Sequence, residues 1–116
     1  MYAKHNVFGD DTRQGWIYGS FMPDGLQKDE RVEIKVAKLD KSFHSPPHYA
    51  NVGTKIDIIW KGNAIWVIDG QEITLEAGDY VIIPPKTTVA VKQVLSDELI
   101  VQTIKIPSLP NDKVIV

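Results

Sequence analysis

The stretch that decides the fold is Lys55-Ile-Asp-Ile-Ile-Trp-Lys-Gly-Asn-Ala-Ile-Trp-Val-Ile-Asp-Gly70. It contains two short segments rich in Ile, Val and Trp, Lys55–Trp60 and Ala64–Ile68, which are typical of β-strands. A Lys-Gly-Asn turn separates them, and the closing Asp-Gly pair predicts a two-residue hairpin, because a type I′ turn needs positive φ at both central positions. Both segments are almost continuously apolar, so we expect interior strands that are covered on both faces.

The same pattern of short strands and turns continues in both directions from this stretch. Further strands are predicted at Trp16–Met22, Val32–Val36, Glu72–Leu75, Tyr80–Ile83, Val89–Val94 and Leu99–Ile106. The segment Pro107–Pro110 should end the sheet, because proline cannot donate to a strand ladder, and we expect the tail after it to pack as an extended arm. Many short antiparallel strands in one small chain predict an all-β sandwich or barrel.

The length of the chain, 116 residues, fits one domain, because a second core of independent stability could not be filled. We expect a single domain over residues 1–116, with N-terminal strands in 1–22, a core at about 31–106 and an extended C-terminal tail at 107–116. The chain has no cysteine, which excludes disulfides, thiolate nucleophiles and iron–sulfur clusters. Any metal site would therefore need nitrogen and oxygen ligands.

Charge and hydropathy also limit the partners. The formal net charge is −2 and the lysines are scattered along the sequence, so no basic surface for a nucleic acid polymer is expected. The segment Met1–Asp10 lacks the apolar stretch of a signal peptide, and no apolar run approaches membrane-spanning length. We therefore expect no membrane partner and predict a cytoplasmic location.

From His48 onward the spacing resembles that of the cupin superfamily. The first cupin motif runs His-x-His, a short gap, Glu, six residues and Gly, and the matching positions here are His48, Ala50, Lys55 and Gly62. The second motif runs Gly, five residues, Pro, one residue, Gly, two residues and His, and it is matched in frame by Gly78, Pro84, Lys86 and Val89. The resemblance covers about forty central residues. It implies a cupin-type jelly-roll β-sandwich or barrel of short antiparallel strands.

The resemblance also identifies where a metal would bind in metal-binding cupins. Their four ligands, three His and one Glu, correspond here to His48, Ala50, Lys55 and Val89. Alanine and valine cannot coordinate an ion, and an ammonium group at the carboxylate position repels a divalent cation. We therefore expect no standard metal centre, no metal ligands and no cofactor.

Three polar residues are candidates for the barrel interior. His48 is expected to point into the barrel mouth, whereas Lys55 and Asp57 point inward only if their shared face does, and otherwise form a solvated pair at the edge of the sandwich. His48 can act as a general base or acid near neutral pH, or it can be a histidine that is hydrogen-bonded within the pocket wall. Lys55 and Asp57 are two residues apart on one strand, so their side chains share a face, with Cα atoms about 6.5–7 Å apart. Lys55 can hold an anionic ligand, form an internal ion pair with Asp57 or, if buried without a partner, act as a base or an amine nucleophile.

His44 and the tryptophans complete the set of candidates. His44, His48 and Asp57 are of suitable type for a non-standard metal site, but an extended Pro46-Pro47 would place the two histidine Cα atoms roughly 12 Å apart, which argues against it. His44 is retained as a candidate ligand-binding residue. Trp66, on a strand next to that of Trp60, can stack on a sugar ring or nucleobase, or either ring can pack in the core or at a dimer interface.

Three functions follow from these residues. The first is a binding module that holds a small polar or anionic ligand, such as a sugar or nucleotide, through His48, Lys55, Asp57, Trp66 and His44. The second is a metal-independent isomerase or epimerase of a sugar or nucleotide sugar, with His48 as base and Lys55 stabilising an enolate-like intermediate. The third is a structural, dimerising cupin with a vestigial pocket. The flanks also resemble small cupins attached to sugar-nucleotide enzymes, in which an N-terminal strand often crosses to a partner subunit, so a homodimer is implied.

Overall fold

The computed structural model of the chain describes residues 1–9 and 14–116. Within these residues ten strands form two five-stranded antiparallel sheets. The strands are β1 (Trp16–Tyr18), β2 (Glu33–Leu39), β3 (His48–Ala50), β4 (Thr54–Lys61), β5 (Asn63–Ile68), β6 (Gln71–Glu76), β7 (Tyr80–Ile83), β8 (Val89–Val94), β9 (Leu99–Ile106) and β10 (Lys113–Ile115). The described part of the chain contains no helix long and apolar enough to cross a membrane.

The two sheets together enclose the core. The first sheet has the strand order β1-β2-β9-β4-β7 and the second has the order β10-β3-β8-β5-β6. Strands from both sheets contribute to one buried apolar cluster, made of Ile59, Ala64, Trp66, Leu75, Ile83, Val89, Val94, Leu99 and Val101. The predicted all-β sandwich is therefore confirmed.

Strand positions agree with the sequence over most of the chain. Asp69 and Gly70 have φ values of 50° and 79° and join β5 to β6, which confirms the predicted hairpin. The strand predicted at Trp16–Met22 ends at Tyr18, because Gly19 takes a φ of 147°, which departs from an extended strand. The C-terminal tail is more than an extended arm, since β10 pairs with β3 at the edge of the second sheet.

The strands β4 and β5 have partners on both sides, as predicted, but the outer face of β4 is not covered. Residues that alternate with the core-facing ones on β4 and β7 point away from the second sheet. Three of them are more than half exposed, Trp60 at 59%, Tyr80 at 65% and Ile82 at 60%. The expectation that β4 is covered on both faces is therefore not met by the described chain, because its second face lies on the outside of the sandwich.

Candidate functional site

A cavity of about 180 Å³ lies between the two sheets. Its apolar wall comes from residues that pack against the core, including Ala37, Leu39, Phe43, Val91 and Val101. Its polar wall comes chiefly from the first half of β4 and the second half of β9. The polar and aromatic lining residues are Trp16, Lys35, Ser45, His48, Lys55, Asp57, Trp66, Thr103, Lys105 and Lys113.

Asp57 is the most firmly held polar group of this cavity. It is 2% exposed, and its carboxylate accepts hydrogen bonds from Trp66 Nε1 at 3.2 Å and from Thr103 Oγ1 at 2.7 Å. Lys55 Nζ lies 3.6 Å from Asp57 Oδ2. The side chains of Lys55 and Asp57 thus share a face, as their spacing predicts, and the structure turns that face toward the cavity, which the spacing left open. A carboxylate with three fixed partners has little freedom to move and suits the positioning of a ligand group.

His48 lies on β3 and is paired with Val89 on β8. Its Nδ1 is 2.8 Å from the carbonyl oxygen of Pro46, and a carbonyl can only accept, so Nδ1 carries a proton. Burial lowers the pKa of His48 below its ordinary value, the Pro46 carbonyl opposes this, and the charges of nearby lysines lower it further. At neutral pH the ring is therefore neutral, with the lone pair on Nε2, the form that accepts a proton or a hydrogen bond.

The residues at this site do not fit the metal centre of metal-binding cupins. His48, Lys55 and Val89 line the cavity, whereas Ala50 is not among its lining residues, so three of the four motif positions meet there. Their side chains nevertheless include an ammonium group and an isopropyl group, which offer an ion no ligand. Across residues 1–9 and 14–116, no cluster of three or more His, Cys, Asp or Glu side chains is arranged to hold a metal ion.

Of the predicted ligand-binding residues, Trp66 lies in the cavity wall and His44 lies outside the cavity. Trp66 lines the cavity but is 1% exposed, and its indole N–H is taken by Asp57, so the ring forms part of the wall. His44 lies outside the cavity, in a separate exposed groove, because the neighbouring Ser45 is the residue held against β8 by hydrogen bonds to the backbone of Val91. The geometry does not bring His44 to His48, so the alternative metal site of His44, His48 and Asp57 is not formed.

Trp60, the other tryptophan considered for stacking, is on the outer face of the first sheet. Its Nε1 donates a hydrogen bond to Gln102 Oε1 at 3.0 Å. It is not among the residues that line the cavity. A stacking role in this site is therefore not supported for Trp60.

Three lysines of the cavity were missed by the sequence reasoning, Lys35 on β2, Lys105 on β9 and Lys113 on β10. On β2 and β9 the apolar residues alternate with these lysines, and alternation normally places the apolar set inside. Here Lys35 and Lys105 point inward, in the same rows as apolar lining residues such as Ala37 and Val101. Burial, followed by repulsion from neighbouring lysines, lowers the pKa of Lys35, and burial is the main cause of a lowered pKa for Lys105 as well. The strand registers, which pair Lys105 with Lys55, Lys35 with Thr103 and Lys113 with Ala50, place the three lysines, and a strand pattern alone does not fix register.

Comparison with solved structures identifies the fold. A cupin protein from Bacteroides fragilis superimposes with a TM-score of 0.61 at 24% identity over 70% of this chain and 71% of that one. A conserved protein with a double-stranded β-helix domain from Klebsiella pneumoniae gives a TM-score of 0.69 at 16% identity over 78% and 79% of the two chains. Pac13 of Streptomyces, a nucleoside dehydratase solved with uridine, gives 0.66 at 13% identity over 78% and 72%.

These similarities show that the chain has the cupin fold, a double-stranded β-helix, as the motif spacing predicts. The predicted cupin-type jelly roll is thereby confirmed. No family model matches the sequence, and no curated protein matches it either. At identities below 25% the solved structures support the fold and leave the ligand to be argued from the site itself.

Proposed function

We propose that this chain is a metal-independent cupin that binds a small polar ligand, of sugar or nucleotide type, in the cavity between its sheets. The observation that carries the proposal is an open cavity at which three of the four positions of the cupin metal ligands meet, and His48, Lys55 and Val89 occupy these three positions. A concave site with an apolar wall and a few convergent polar groups is the usual form of a small-molecule site. The cupin relative solved with uridine supports a ligand of this size.

Each polar group of the cavity offers the ligand a different kind of contact. Asp57 is held by Trp66, Thr103 and Lys55 and offers its remaining acceptor capacity to ligand hydroxyl groups. Lys55 offers three N–H donors and a positive charge. His48 offers the Nε2 lone pair, because its other nitrogen is used by Pro46. Together these groups recognise a ligand that carries both hydroxyl groups and an acceptor.

A second function, isomerisation or epimerisation of a sugar or nucleotide sugar, is favoured by the state of His48. A neutral imidazole with Nδ1 anchored and Nε2 free is the arrangement of a general base. In this scheme Nε2 removes a proton from a carbon next to a carbonyl group, Lys55 stabilises the resulting enolate oxygen, and the proton returns to the same or a neighbouring carbon. The reaction needs no oxidant, reductant or metal.

Both functions are tested by titrating the ¹⁵N-labelled protein with nucleosides, monosaccharides and their phosphate esters while recording amide chemical shifts. The expected result is saturable shifts confined to the inner residues of β3, β4 and β9. His48→Asn and Lys55→Met should each weaken binding about tenfold or more, in line with the loss of one hydrogen bond involving a charged or buried group. His44→Asn is the matched control and should bind like the wild type.

The outcomes of this titration separate the three hypotheses. Saturable binding without chemical change of the probe supports the binding module. Conversion of the probe that is lost in His48→Asn supports the isomerase. Absence of shifts at the cavity with every probe contradicts both and leaves the structural cupin with a vestigial pocket.

We further propose that two copies of the chain pair through the outer face of the first sheet. This face presents Ile34, Val36, Ile56, Ile58, Trp60, Tyr80, Ile82, Ile104 and Ile106, which alternate with the inward residues of their strands. Four of these side chains, Trp60, Tyr80, Ile82 and Ile106, are exposed and the other five are partly exposed. Several exposed apolar side chains on one face mark a candidate interaction site. A two-fold dimer uses the same patch on both subunits, so it buries the face without any other partner.

A further inference from the structure

The cavity contains more positive charge than the recognition of a neutral sugar or nucleoside requires. Among the described residues, four ammonium groups line it, those of Lys35, Lys55, Lys105 and Lys113, against the single carboxylate of Asp57. His48 adds no charge, because its pKa is lowered. The described part of the lining therefore holds an excess of three positive charges around a space of about 180 Å³.

Strand register places these lysines close together. Lys55 and Lys105 are directly opposite each other on the antiparallel pair β4 and β9, so their Cβ atoms are about 4.5–5.5 Å apart on the same inward face. Lys35 is paired with Thr103, which makes it a diagonal neighbour of Lys105. Lys113 approaches from the second sheet, where it is paired with Ala50, the position that carries the second histidine of the cupin motif.

This arrangement is unfavourable without a counter-charge. Like charges directly opposite each other on neighbouring strands destabilise a sheet, and burial of each ammonium group adds a desolvation cost. Asp57 is already shared between Lys55, Trp66 and Thr103, so it cannot balance all four lysines. Glu33 is directly opposite Lys105 on the antiparallel pair β2 and β9, so Glu33, and Asp112 more weakly, offset part of the charge of Lys105. Glu33 also accepts a hydrogen bond from Ser108 at 3.3 Å. Neither carboxylate is among the residues that line the cavity, and Lys35 and Lys113 are left for a ligand to balance.

We propose that the cavity is a site for a small molecule with two or more negative charges on oxygen, which Lys35, Lys55, Lys105 and Lys113 hold from both sheets. A phosphate monoester is such a molecule, because it carries close to two charges above pH 6, and a polycarboxylate offers the same chemistry. Ammonium groups bind oxyanions as point charges with three donors each. This inference rests on the proposed function, since it names the chemical class of the ligand for the same cavity.

The experiment measures how the purified full-length protein binds charged small molecules and their neutral counterparts at low salt. Isothermal titration at pH 7.5 is carried out with uridine monophosphate against uridine, glucose 6-phosphate against glucose, and with citrate and inorganic phosphate alone. We expect at least one phosphate ester or citrate to bind tenfold or more tightly than its neutral counterpart or than glucose, by analogy with the strength of charge-assisted hydrogen bonds.

Substitutions locate the binding. Lys35→Met and Lys105→Met should each lower the affinity for the charged probe about tenfold, whereas Lys38→Met should leave that affinity within about twofold of the wild-type value. Lys38 is the matched control because it lies on the same strand as Lys35 but is exposed on the opposite face. Affinity for the charged probe should also fall as the pH rises above 7.5. Lys35 and Lys105, with pKa values lowered by burial, lose their protons at a lower pH than ordinary lysines do, while a phosphate monoester keeps its charge.

Three results would overturn the proposal. One is that neutral and charged partners bind equally well at the cavity, in which case the ligand site stands and only its anionic class fails. Another is that charged probes bind with the same affinity to Lys35→Met, Lys105→Met and Lys38→Met, which assigns the binding to surface lysines. If no probe of either kind binds up to 10 mM, a range typical of very weak ligands, the anion site and the proposed function both fail.

Discussion

The two faces of the first sheet are built from the same strands and yet have opposite character. On β9, the inward residues Val101, Thr103 and Lys105 become more polar toward the open part of the cavity, while the outward Ile104 and Ile106 are apolar. A protein that only needed a stable sandwich would reverse this order. The inner face therefore supports the proposed ligand site, and the outer face supports the proposed pairing with a second copy of the chain.

The difference also shows where stability and function compete. The inner lysines are partly desolvated and repel one another, which costs folding free energy, whereas apolar residues of similar size would pack at little cost. The outer isoleucines cost nothing in a dimer but expose apolar area in a monomer. Predictions that compare the two faces therefore separate the requirements of folding from those of binding.

The largest effect is expected from Asp57→Ala, which removes the one carboxylate among the described residues that line the cavity. The variant leaves Lys55 without its ion-pair partner and leaves the donors of Trp66 and Thr103 unsatisfied. Loss of one partner of a buried ion pair costs about 3–5 kcal/mol, to be measured as the free energy of unfolding in urea. Asp57→Asn keeps the shape and should cost less. A loss below about 1 kcal/mol for Asp57→Ala would contradict the role of Asp57 as the counter-charge.

On the outer face, Ile82→Lys should weaken self-association. Ile82 is 60% exposed, so the substitution adds a charge to the apolar patch without disturbing the core. We expect a shift from dimer to monomer in light scattering after size exclusion, with the dissociation constant raised about tenfold or more. Thr74→Lys, on exposed β6 of the second sheet, is the matched control. A wild-type monomer at all concentrations, or equal behaviour of the two variants, would disprove pairing through this face.

The sequence predicted the fold better than the site, and the faces of the first sheet explain why. Strand positions depend on local composition, so β4, β5 and the Asp69-Gly70 hairpin were found where they lie. The cupin spacing predicted His48 and Lys55 as candidate site residues, and both line the cavity because the motif fixes their positions on the fold; their roles stay predictions. Three lysines of the cavity were missed, because whether they line it depends on which face of a strand points inward. They are Lys35, Lys105 and Lys113. A strand pattern alone gives the alternation and leaves the direction open.

The smallest effects are expected from Lys35→Met and Lys38→Met. These variants compare the two faces most closely, because both residues lie on β2. Lys35→Met removes an inward ammonium group that is desolvated and repelled by Lys113, Lys55 and Lys105, so we expect the unfolding free energy to rise by about 0.2–1 kcal/mol. The gain is reduced by loss of the contact with the Trp16 ring, 5.1 Å away. Lys38→Met removes an exposed ion pair with Glu98 at 3.2 Å and should lower stability by no more than about 1 kcal/mol. Urea unfolding of both variants without ligand decides the signs. If Lys35→Met is the less stable of the two, its ammonium group is balanced within the folded chain and the cavity does not need an anion.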